Sequence, residues 1–393
     1  MKAIHISRVR VALIGLSASF LGLSAMAAED IKVGLMLPFS GTYAQLGEAI
    51  ENGFKLYVQK QGGKLAGKNI TYVRVDDESE PSKASDNVNK LIKRDKVDVI
   101  VGTVHSGVVL AMARAAKASR TLLIIPHAGT DEVTGSMCAP NIFRSSFSNW
   151  QPAYGAGKLA VEKGYKKIVT VSWKYTAGEE SLRGFKDGIK GSSTSVVADL
   201  TVPFPNVEFQ ALLTQISALK PDAVYAFFGG AGAVKFVKDY AVAGLNRSIP
   251  LIGSGFLTEG VLQAEGAAAE NLQTTLHYAD GLANPVDQAF RADYAKAYKL
   301  QPDVYAVQGY DAAQMLGTGL KAVGGDLSRQ SDVVKAIAGM TVDSPRGPFK
   351  LSAAHSPVQD IYTRIVNNGE NRVAGVAAKA VGSPSEGCSM VAR

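Results

Sequence analysis

Short apolar runs alternate with helical patterns along the chain, and this alternation limits the folds open to it. The runs are rich in β-branched residues, as in parallel strands buried on both faces. They predict strands at 32–37, 70–76, 97–102, 122–126, 167–172, 195–201, 223–228 and 249–253. Apolar spacings of three and four predict helices at 47–61, 82–93, 107–119, 178–189, 209–219 and 231–243. This order predicts a doubly wound α/β architecture.

Two segments interrupt the alternation, RSSFSNWQP at 144–152 and LHYADGLANP at 276–285. Beyond the second, the patterns predict helices at 286–298, 304–323 and 331–339 and strands at 347–351 and 361–367. A chain of 393 residues also favours two domains over one.

The first 27 residues have the composition of an export signal. Residues 1–10 carry Lys2, Arg8 and Arg10 without an acid, residues 11–26 are apolar or small, and 25–27 form a small-x-small cleavage motif. The apolar run is shorter than the roughly 20 residues of a spanning helix. We therefore predict a cleaved signal peptide and a periplasmic protein, with an uncleaved anchor as the alternative. No cysteine lies at the cleavage point, so we expect no lipid anchor.

Charge and cysteine content restrict the partners and the compartment. Removing the three signal cations lowers the formal net charge from +7 to +4, since 7 − 3 = 4, and the remaining charges are mixed along the chain. This balance does not favour a nucleic-acid partner. Cys138 and Cys388 both lie in the exported part, where an oxidising compartment favours a disulfide. Two unpaired thiols are the alternative.

Five groups of motifs, in chain order, point to a known family. They are VGLMLPFSGTYAQLGEAIENGF with GGKLAGKNITYVRVDDESEPSKASDNVNKLI, KVDVIVGTVHSGVVLAMA, LLIIPHAGTDEVTG with IFRSSFSN, KYTAGEESLRGFKDG, and VQGYDAAQML. On these motifs the chain resembles the periplasmic substrate-binding proteins of branched-chain amino acid (Leu/Ile/Val) ABC transporters. The motifs HSG, PHAGT and YTAGEE resemble the aromatic-acid branch of that family more than the amino-acid branch.

The resemblance implies a type I periplasmic binding protein fold, with two doubly wound α/β lobes joined by a three-crossover hinge. We expect lobe 1 to contain 28–148 and 278–356, and lobe 2 to contain 149–277 and 357–393. The crossovers would lie at the two interruptions and near 352–359. The ligand would bind between the lobes of a monomer, and closure would hand it to a membrane permease. The resemblance implies neither an enzyme nor a cofactor.

The resemblance also assigns a carboxylate site. Ser106 follows a strand and begins a helix, where a hydroxyl and free backbone N–H groups suit an anion. In the family, a serine at this position binds the ligand carboxylate, and the turn at Ala128, Gly129 and Thr130 completes the cradle. The alternatives are that Ser106 is only a helix N-cap and that the turn is an ordinary one.

Aromatic residues are expected to form the walls of the site. By resemblance, Tyr175 contacts the ligand across the cleft, and Tyr43 and Leu46 supply the apolar side of lobe 1. Trp173 would line the same wall as Tyr175. For both Tyr175 and Trp173 the alternative is burial in the core. His105 or His127 would bond a ring substituent, with a structural histidine as the alternative in each case.

One departure from the family predicts the ligand class. Amino-acid-binding members carry an acid after the strand equivalent to 249–253, and that acid neutralises the ligand ammonium. Here the position falls on Gly255 or Phe256, and the nearest acid, Glu259, is expected in the following helix. Because a buried unpaired ammonium is costly, we infer a carboxylate ligand without one. Phe256 and Phe228, with the aromatic walls, favour an aromatic acid.

Other functional classes have little support in the sequence. Glycines at 229, 230 and 232 follow a strand, but Lys235 occupies the third glycine position of a dinucleotide fingerprint. No H-x-x-H or C-x-x-C spacing suggests a metal, and Ser106 lacks the glycines of a nucleophile elbow. Two alternatives stay open: binding of branched-chain or other amino acids, and a ligand-sensing role beside a membrane signalling protein.

Overall fold

The computed structural model describes Met1 and residues 30–391, so the predicted signal peptide lies outside the described residues. Its strands are β1 (Ile31–Leu37), β2 (Lys64–Leu65), β3 (Lys68–Asp76), β4 (Val99–Val101), β5 (Leu122–Ile125), β6 (Ile142–Arg144), β7 (Lys167–Lys174), β8 (Ser195–Pro203), β9 (Ala223–Phe227), β10 (Leu251–Ser254), β11 (Gln273–Leu276), β12 (Thr341–Val342), β13 (Phe349–Leu351), β14 (Pro357–Asn367) and β15 (Glu370–Val381).

The α-helices connect these strands and cover both faces of the sheets. They are α1 (Ala44–Lys60), α2 (Pro81–Asn89), α3 (Ser106–Ser119), α4 (Trp150–Glu162), α5 (Thr176–Ile189), α6 (Gln210–Leu219), α7 (Gly230–Val242), α8 (Leu262–Glu265), α9 (Pro285–Tyr298), α10 (Val304–Ala322) and α11 (Gln330–Gly339). None of the described helices is long and apolar enough to cross a membrane.

Two separate sheets form the cores of two α/β lobes, as the sequence predicts. The first has the order β2-β3-β1-β4-β5-β6, in which all neighbours are parallel except β2 and β3. In the second, β8-β7-β9-β10-β11 run parallel, and β14 adds antiparallel to β11. Strand β15 then pairs with β14 as a hairpin. Both sheets are therefore mixed, with a parallel centre.

Helix α10 returns late in the chain to pack against α1 on the first lobe. Two glycines make this contact close. A Cβ on Gly53 would lie 1.9 Å from the Ala306 carbonyl oxygen, and one on Gly309 would lie 2.0 Å from the Ile50 carbonyl oxygen. Only glycine allows the two backbones to approach so closely. The contact fixes the first turn of α10 against the middle of α1.

Three connections link the lobes. Residues 145–149 lead from β6 to α4, and residues 277–284 lead from β11 to α9. Residues 352–356 lead from β13, which packs on α11, into β14, with which β13 also pairs. They lie at the three predicted crossovers, and hydrogen bonds join the first to the residues just after the third. The Gln359 side-chain amide donates to the Ser146 carbonyl (2.9 Å), and that of Gln151 donates to the Pro357 carbonyl (3.2 Å). The residue at which each lobe ends stays a prediction.

The predicted disulfide is present. Cys138 and Cys388 are bonded, with 5.5 Å between their Cα atoms, across a sequence separation of 250 residues. Both are buried. The bond ties the C-terminal segment to the loop after β5, and the alternative of two free thiols is wrong. A loop of this length gives a stabilisation of roughly 5 kcal/mol in the chain-entropy account.

A buried ion pair holds the acid that the sequence analysis singled out. Glu259 follows a short 3-10 turn instead of lying in a helix as expected, and it is only 3% exposed. The Arg364 guanidinium donates to its carboxylate at 2.5 Å, and the Val304 backbone N–H donates at 2.7 Å. Arg364 also donates to the carbonyls of Gly255 (2.9 Å) and Tyr278 (3.0 Å). Glu259 is therefore fully engaged within the protein.

We predict that Arg364→Met lowers the free energy of unfolding by about 3–5 kcal/mol, because it leaves Glu259 buried without a counter-charge. The measurement is chemical denaturation followed by circular dichroism. Arg372→Met is the matched control, since Arg372 pairs with Glu370 at the surface and such pairs contribute about 1 kcal/mol or less. Equal losses for the two variants would contradict the importance of the buried pair.

Candidate functional site

A narrow, partly open cavity lies between the two lobes, with about 20 Å³ of free space for water-sized groups. All of its lining residues except Tyr305 lie at, or shortly after, the carboxyl end of a parallel strand, which is where open α/β sheets bind ligands. The lining is formed by Tyr43, Leu46, Val104, Ser106, His127, Phe147, Asn149, Tyr175, Ala177, Phe227, Gly229, Phe256 and Tyr305. This space holds about one water molecule, so a larger ligand requires the walls of the cavity to move apart.

The cavity walls are aromatic and carry no charge. Six phenylalanine and tyrosine rings and the His127 imidazole line the cavity, and none of its described lining residues is Asp, Glu, Lys or Arg. An anion can bind to neutral donors here. An ammonium would find no carboxylate to pair with, and burying it unpaired would cost several kcal/mol. The walls therefore suit a flat apolar body.

Ser106 presents a hydroxyl at the first position of α3. It is 1% exposed, and its Oγ accepts a hydrogen bond from the Asn149 side-chain amide at 3.2 Å. Because that bond uses an oxygen lone pair, the hydroxyl proton remains free to be donated. The N-cap of α3 is His105, whose Nδ1 accepts from the Gly107 N–H at 3.1 Å. The alternative that Ser106 is the N-cap is therefore wrong.

Tyr43 and Tyr175 join the two lobes at the cavity. Their hydroxyls lie 3.0 Å apart, with Tyr43 in the loop after β1 and Tyr175 immediately before α5. Burial raises the pKa of both phenols, so both remain protonated at neutral pH. One of the two hydroxyl protons lies in the bond between them, and the other is available to a ligand. Leu46, in the first turn of α1, adds apolar surface beside Tyr43.

The two histidines near the site differ in their positions. His105 does not line the cavity: it caps α3, and its ring stacks on Tyr175 with 5.0 Å between ring centres. Its contacts are those of a helix cap, and its bond to a ring substituent stays a prediction. His127 lines the cavity and packs against Phe147 and Phe256, at 5.0 and 5.2 Å. Burial lowers the pKa of each imidazole to about 4, so both are neutral.

The turn at 128–130 lies behind the cavity wall rather than on it. The Ala128 N–H donates to the Thr103 carbonyl (2.9 Å), and the Gly129 carbonyl accepts from the Asn149 N–H (2.8 Å). The Thr130 hydroxyl donates to Glu180 (2.9 Å). None of the three residues lines the cavity, and their part in a carboxylate cradle stays a prediction. The turn supports Asn149.

The charged groups of the cleft lie behind this turn and connect the lobes. Glu180, on α5, accepts from the Thr130 hydroxyl, the Asp131 N–H (2.9 Å) and the Asn149 amide (2.7 Å). The buried Arg144 donates to the carbonyls of Thr130 (2.6 Å) and Phe147 (2.8 Å). Burial raises the pKa of Glu180 and lowers that of Arg144 to about 10. These charges position Asn149 without lining the cavity.

Two of the predicted aromatic wall residues belong to the core. Trp173 is fully buried, donates to the Asn206 carbonyl (2.8 Å) and packs edge-on behind Tyr43. Phe228 packs against Phe209 and Phe236, at 4.9 and 4.7 Å. The wall residue is Phe227, because successive side chains along an extended strand point to opposite faces. Phe256 lines the cavity as expected.

Several lining residues were not predicted from the sequence. Phe147 and Asn149 lie in the RSSFSN segment, which was predicted to be a crossover and not part of the site. Tyr305 follows the Asp303 N-cap of α10 and comes to the cavity only through the packing of α10 on α1. The rest of the wall is formed by the backbone and small side chains of Val104, Ala177 and Gly229. Within the described residues, no group of His, Cys, Asp and Glu is arranged to hold a metal ion.

Comparisons with known proteins agree with this architecture. Residues 30–371 match the family model described as periplasmic binding protein. A curated relative, the Leu/Ile/Val-binding protein homolog 6 of Brucella melitensis, is 28% identical over 364 residues, which cover 91% of this chain and 93% of the relative.

Two solved structures from Rhodopseudomonas palustris are also similar. Both are solute-binding proteins of ABC transporters. One, in complex with benzoate, is 52% identical with a TM-score of 0.90 and covers 92% of this chain and 99% of its own. The other, in complex with 3,4-dihydroxybenzoic acid, is 32% identical with a TM-score of 0.85 and covers 90% and 99%. The chain belongs to the periplasmic binding protein family, whose members act outside the cytoplasm.

Proposed function

We propose that this protein is the solute-binding component of an ABC importer and binds an aromatic carboxylate, such as benzoate, between its lobes. The observation that carries the proposal is the cavity itself, which combines aromatic walls with neutral hydrogen-bond donors and has no acid among its described lining residues. The ligands of the two similar structures, benzoate and 3,4-dihydroxybenzoic acid, support the same class.

Neutral donors and a helix start would hold the carboxylate. The Ser106 hydroxyl has a free proton and begins α3, whose N-terminus carries roughly half a positive charge. The Tyr43–Tyr175 pair adds a second free hydroxyl proton. Hydrogen bonds from neutral donors to a carboxylate are charge-assisted and stronger than neutral ones. The ring would then lie against Phe147, Phe227 and Phe256.

Amino-acid binding is the second candidate, and the Leu/Ile/Val-binding relative favours it. Such a ligand needs an acid for its ammonium. The nearest acid to the expected position, Glu259, is paired with Arg364. Glu180 already accepts three hydrogen bonds behind Asn149. Without a free carboxylate on the wall, an α-ammonium would be buried unpaired, and we therefore favour the aromatic acid.

Closure of the lobes would couple binding to delivery. The ligand would contact Ser106 and Tyr43 from the first lobe and Tyr175, Phe227 and Phe256 from the second. A ligand that touches both lobes favours the closed form over the open one. The closed form would dock on the permease as a monomer, after removal of residues 1–27 and without a lipid anchor. No step in this cycle requires the protein to act as an enzyme.

A thermal-shift screen tests the proposed function. We expect benzoate and related aromatic acids to raise the melting temperature, because a ligand that binds only the folded state stabilises it. Leucine, isoleucine and valine should leave the melting temperature unchanged at the same concentration. Stabilisation by leucine without stabilisation by any aromatic acid would contradict the proposal.

Replacement of Ser106 tests the carboxylate site. We predict that Ser106→Ala weakens benzoate binding by about 1–3 kcal/mol, through loss of a charge-assisted hydrogen bond. Isothermal titration calorimetry gives the affinity. Ser119→Ala is the control, since Ser119 lies at the opposite end of the same helix and is exposed. Unchanged benzoate affinity in Ser106→Ala would remove Ser106 from the carboxylate site.

A further inference from the structure

Two polar groups on the cavity wall have no role in holding a carboxylate at Ser106. They are the His127 imidazole and the Tyr305 hydroxyl, whose rings lie 5.0 Å apart between their centres. Apolar rings surround them: His127 also contacts Phe147 and Phe256, and Phe256 contacts Tyr305. Polar groups in such surroundings normally have hydrogen-bond partners, so the partners of these two indicate what the wall is built to bind.

A chain of hydrogen bonds fixes the proton on His127. Its Nδ1 lies 2.8 Å from the Gln308 side-chain oxygen, and the Gln308 amide nitrogen lies 3.1 Å from Nε2 of His277. Because the amide oxygen can only accept, Nδ1 must donate to it. Burial lowers the pKa of His127 to about 4, so at neutral pH the ring has this one proton. Its Nε2 is therefore a hydrogen-bond acceptor.

The Tyr305 hydroxyl is buried without a partner. The residue is 0% exposed, and its hydroxyl makes no hydrogen bond to any of the residues that the structure describes. Burial raises the pKa of the phenol well above its ordinary value, so the proton is retained. A buried hydroxyl that has lost its hydrogen bonds to water and gained none in the protein destabilises the folded state. Tyr305 can both donate and accept towards the cavity that it lines.

We propose that His127 and Tyr305 form a subsite for a hydroxyl group on the ring of the ligand. The ring hydroxyl donates its proton to His127 Nε2 and accepts one from the Tyr305 hydroxyl. A hydroxyl fits because it donates and accepts at one atom, which an ether or a halogen does not. The subsite rests on the proposed function, since it takes the ligand to be an aromatic carboxylate, and it makes a hydroxybenzoate a better ligand than benzoate.

The test compares benzoate, 3-hydroxybenzoate and 4-hydroxybenzoate by calorimetry on the wild-type protein and on Tyr305→Phe. We expect at least one hydroxybenzoate to bind the wild-type protein about tenfold more tightly than benzoate. Tyr305→Phe should remove most of this gain and leave benzoate affinity within about threefold. Tyr310→Phe is the control, because Tyr310 lies on the same helix, packs against Tyr57 and Phe290, and does not line the cavity.

The outcomes separate the subsite from the function on which it rests. If benzoate binds but neither hydroxybenzoate binds more tightly, the subsite is wrong and the proposed function stands. An equal loss of affinity for all three acids in Tyr305→Phe also overturns the subsite, since that residue would then support the cavity in general. If none of the three acids binds the wild-type protein, the proposed function fails and the subsite fails with it.

Discussion

The carboxyl ends of the parallel strands of both lobes meet at one cleft, and the chemistry of the site depends on this arrangement. Strands β1, β4, β5 and β6 bring Tyr43, Ser106, His127 and Asn149 from one side, and β7, β9 and β10 bring Tyr175, Phe227 and Phe256 from the other. Each turn after such a strand offers backbone N–H groups and short side chains. Polar donors therefore lie at the edges of the cleft, and aromatic rings surround them.

The protein keeps its charges one layer away from this cavity. Glu180 and Arg144 are buried behind Asn149, and Glu259 is paired with Arg364 of β14. Each charge makes two or more hydrogen bonds within the protein, although Arg144 Nε has no partner among the described residues. The walls can therefore be neutral, and a carboxylate meets hydroxyl donors and the start of α3 instead of a salt bridge. Under the proposed function, this separation would let the fold accept an anion and exclude an ammonium.

The sequence predicted most of the fold because buried parallel strands are continuous apolar runs. It missed α4, since Pro152 suggested a break, although a helix tolerates proline in its first turn. It missed β15, whose four alanines and one glycine give no strong strand pattern. At the site, Tyr43, Leu46, Ser106, His127, Tyr175 and Phe256 were predicted and line the cavity. Phe227 and Tyr305 were not predicted. Tertiary structure decides which side chain at the end of β9 faces the cavity and how α10 packs on α1.

The central claim is that the cavity accepts an aromatic carboxylate and has no place for an α-ammonium. The most direct measurement is calorimetric titration with phenylacetate and with phenylglycine, which share the ring and carboxylate and differ only by the ammonium. We predict that phenylglycine binds at least about 100-fold more weakly, since burying an unpaired charge costs several kcal/mol. Equal affinity, or tighter binding of phenylglycine, would contradict the account.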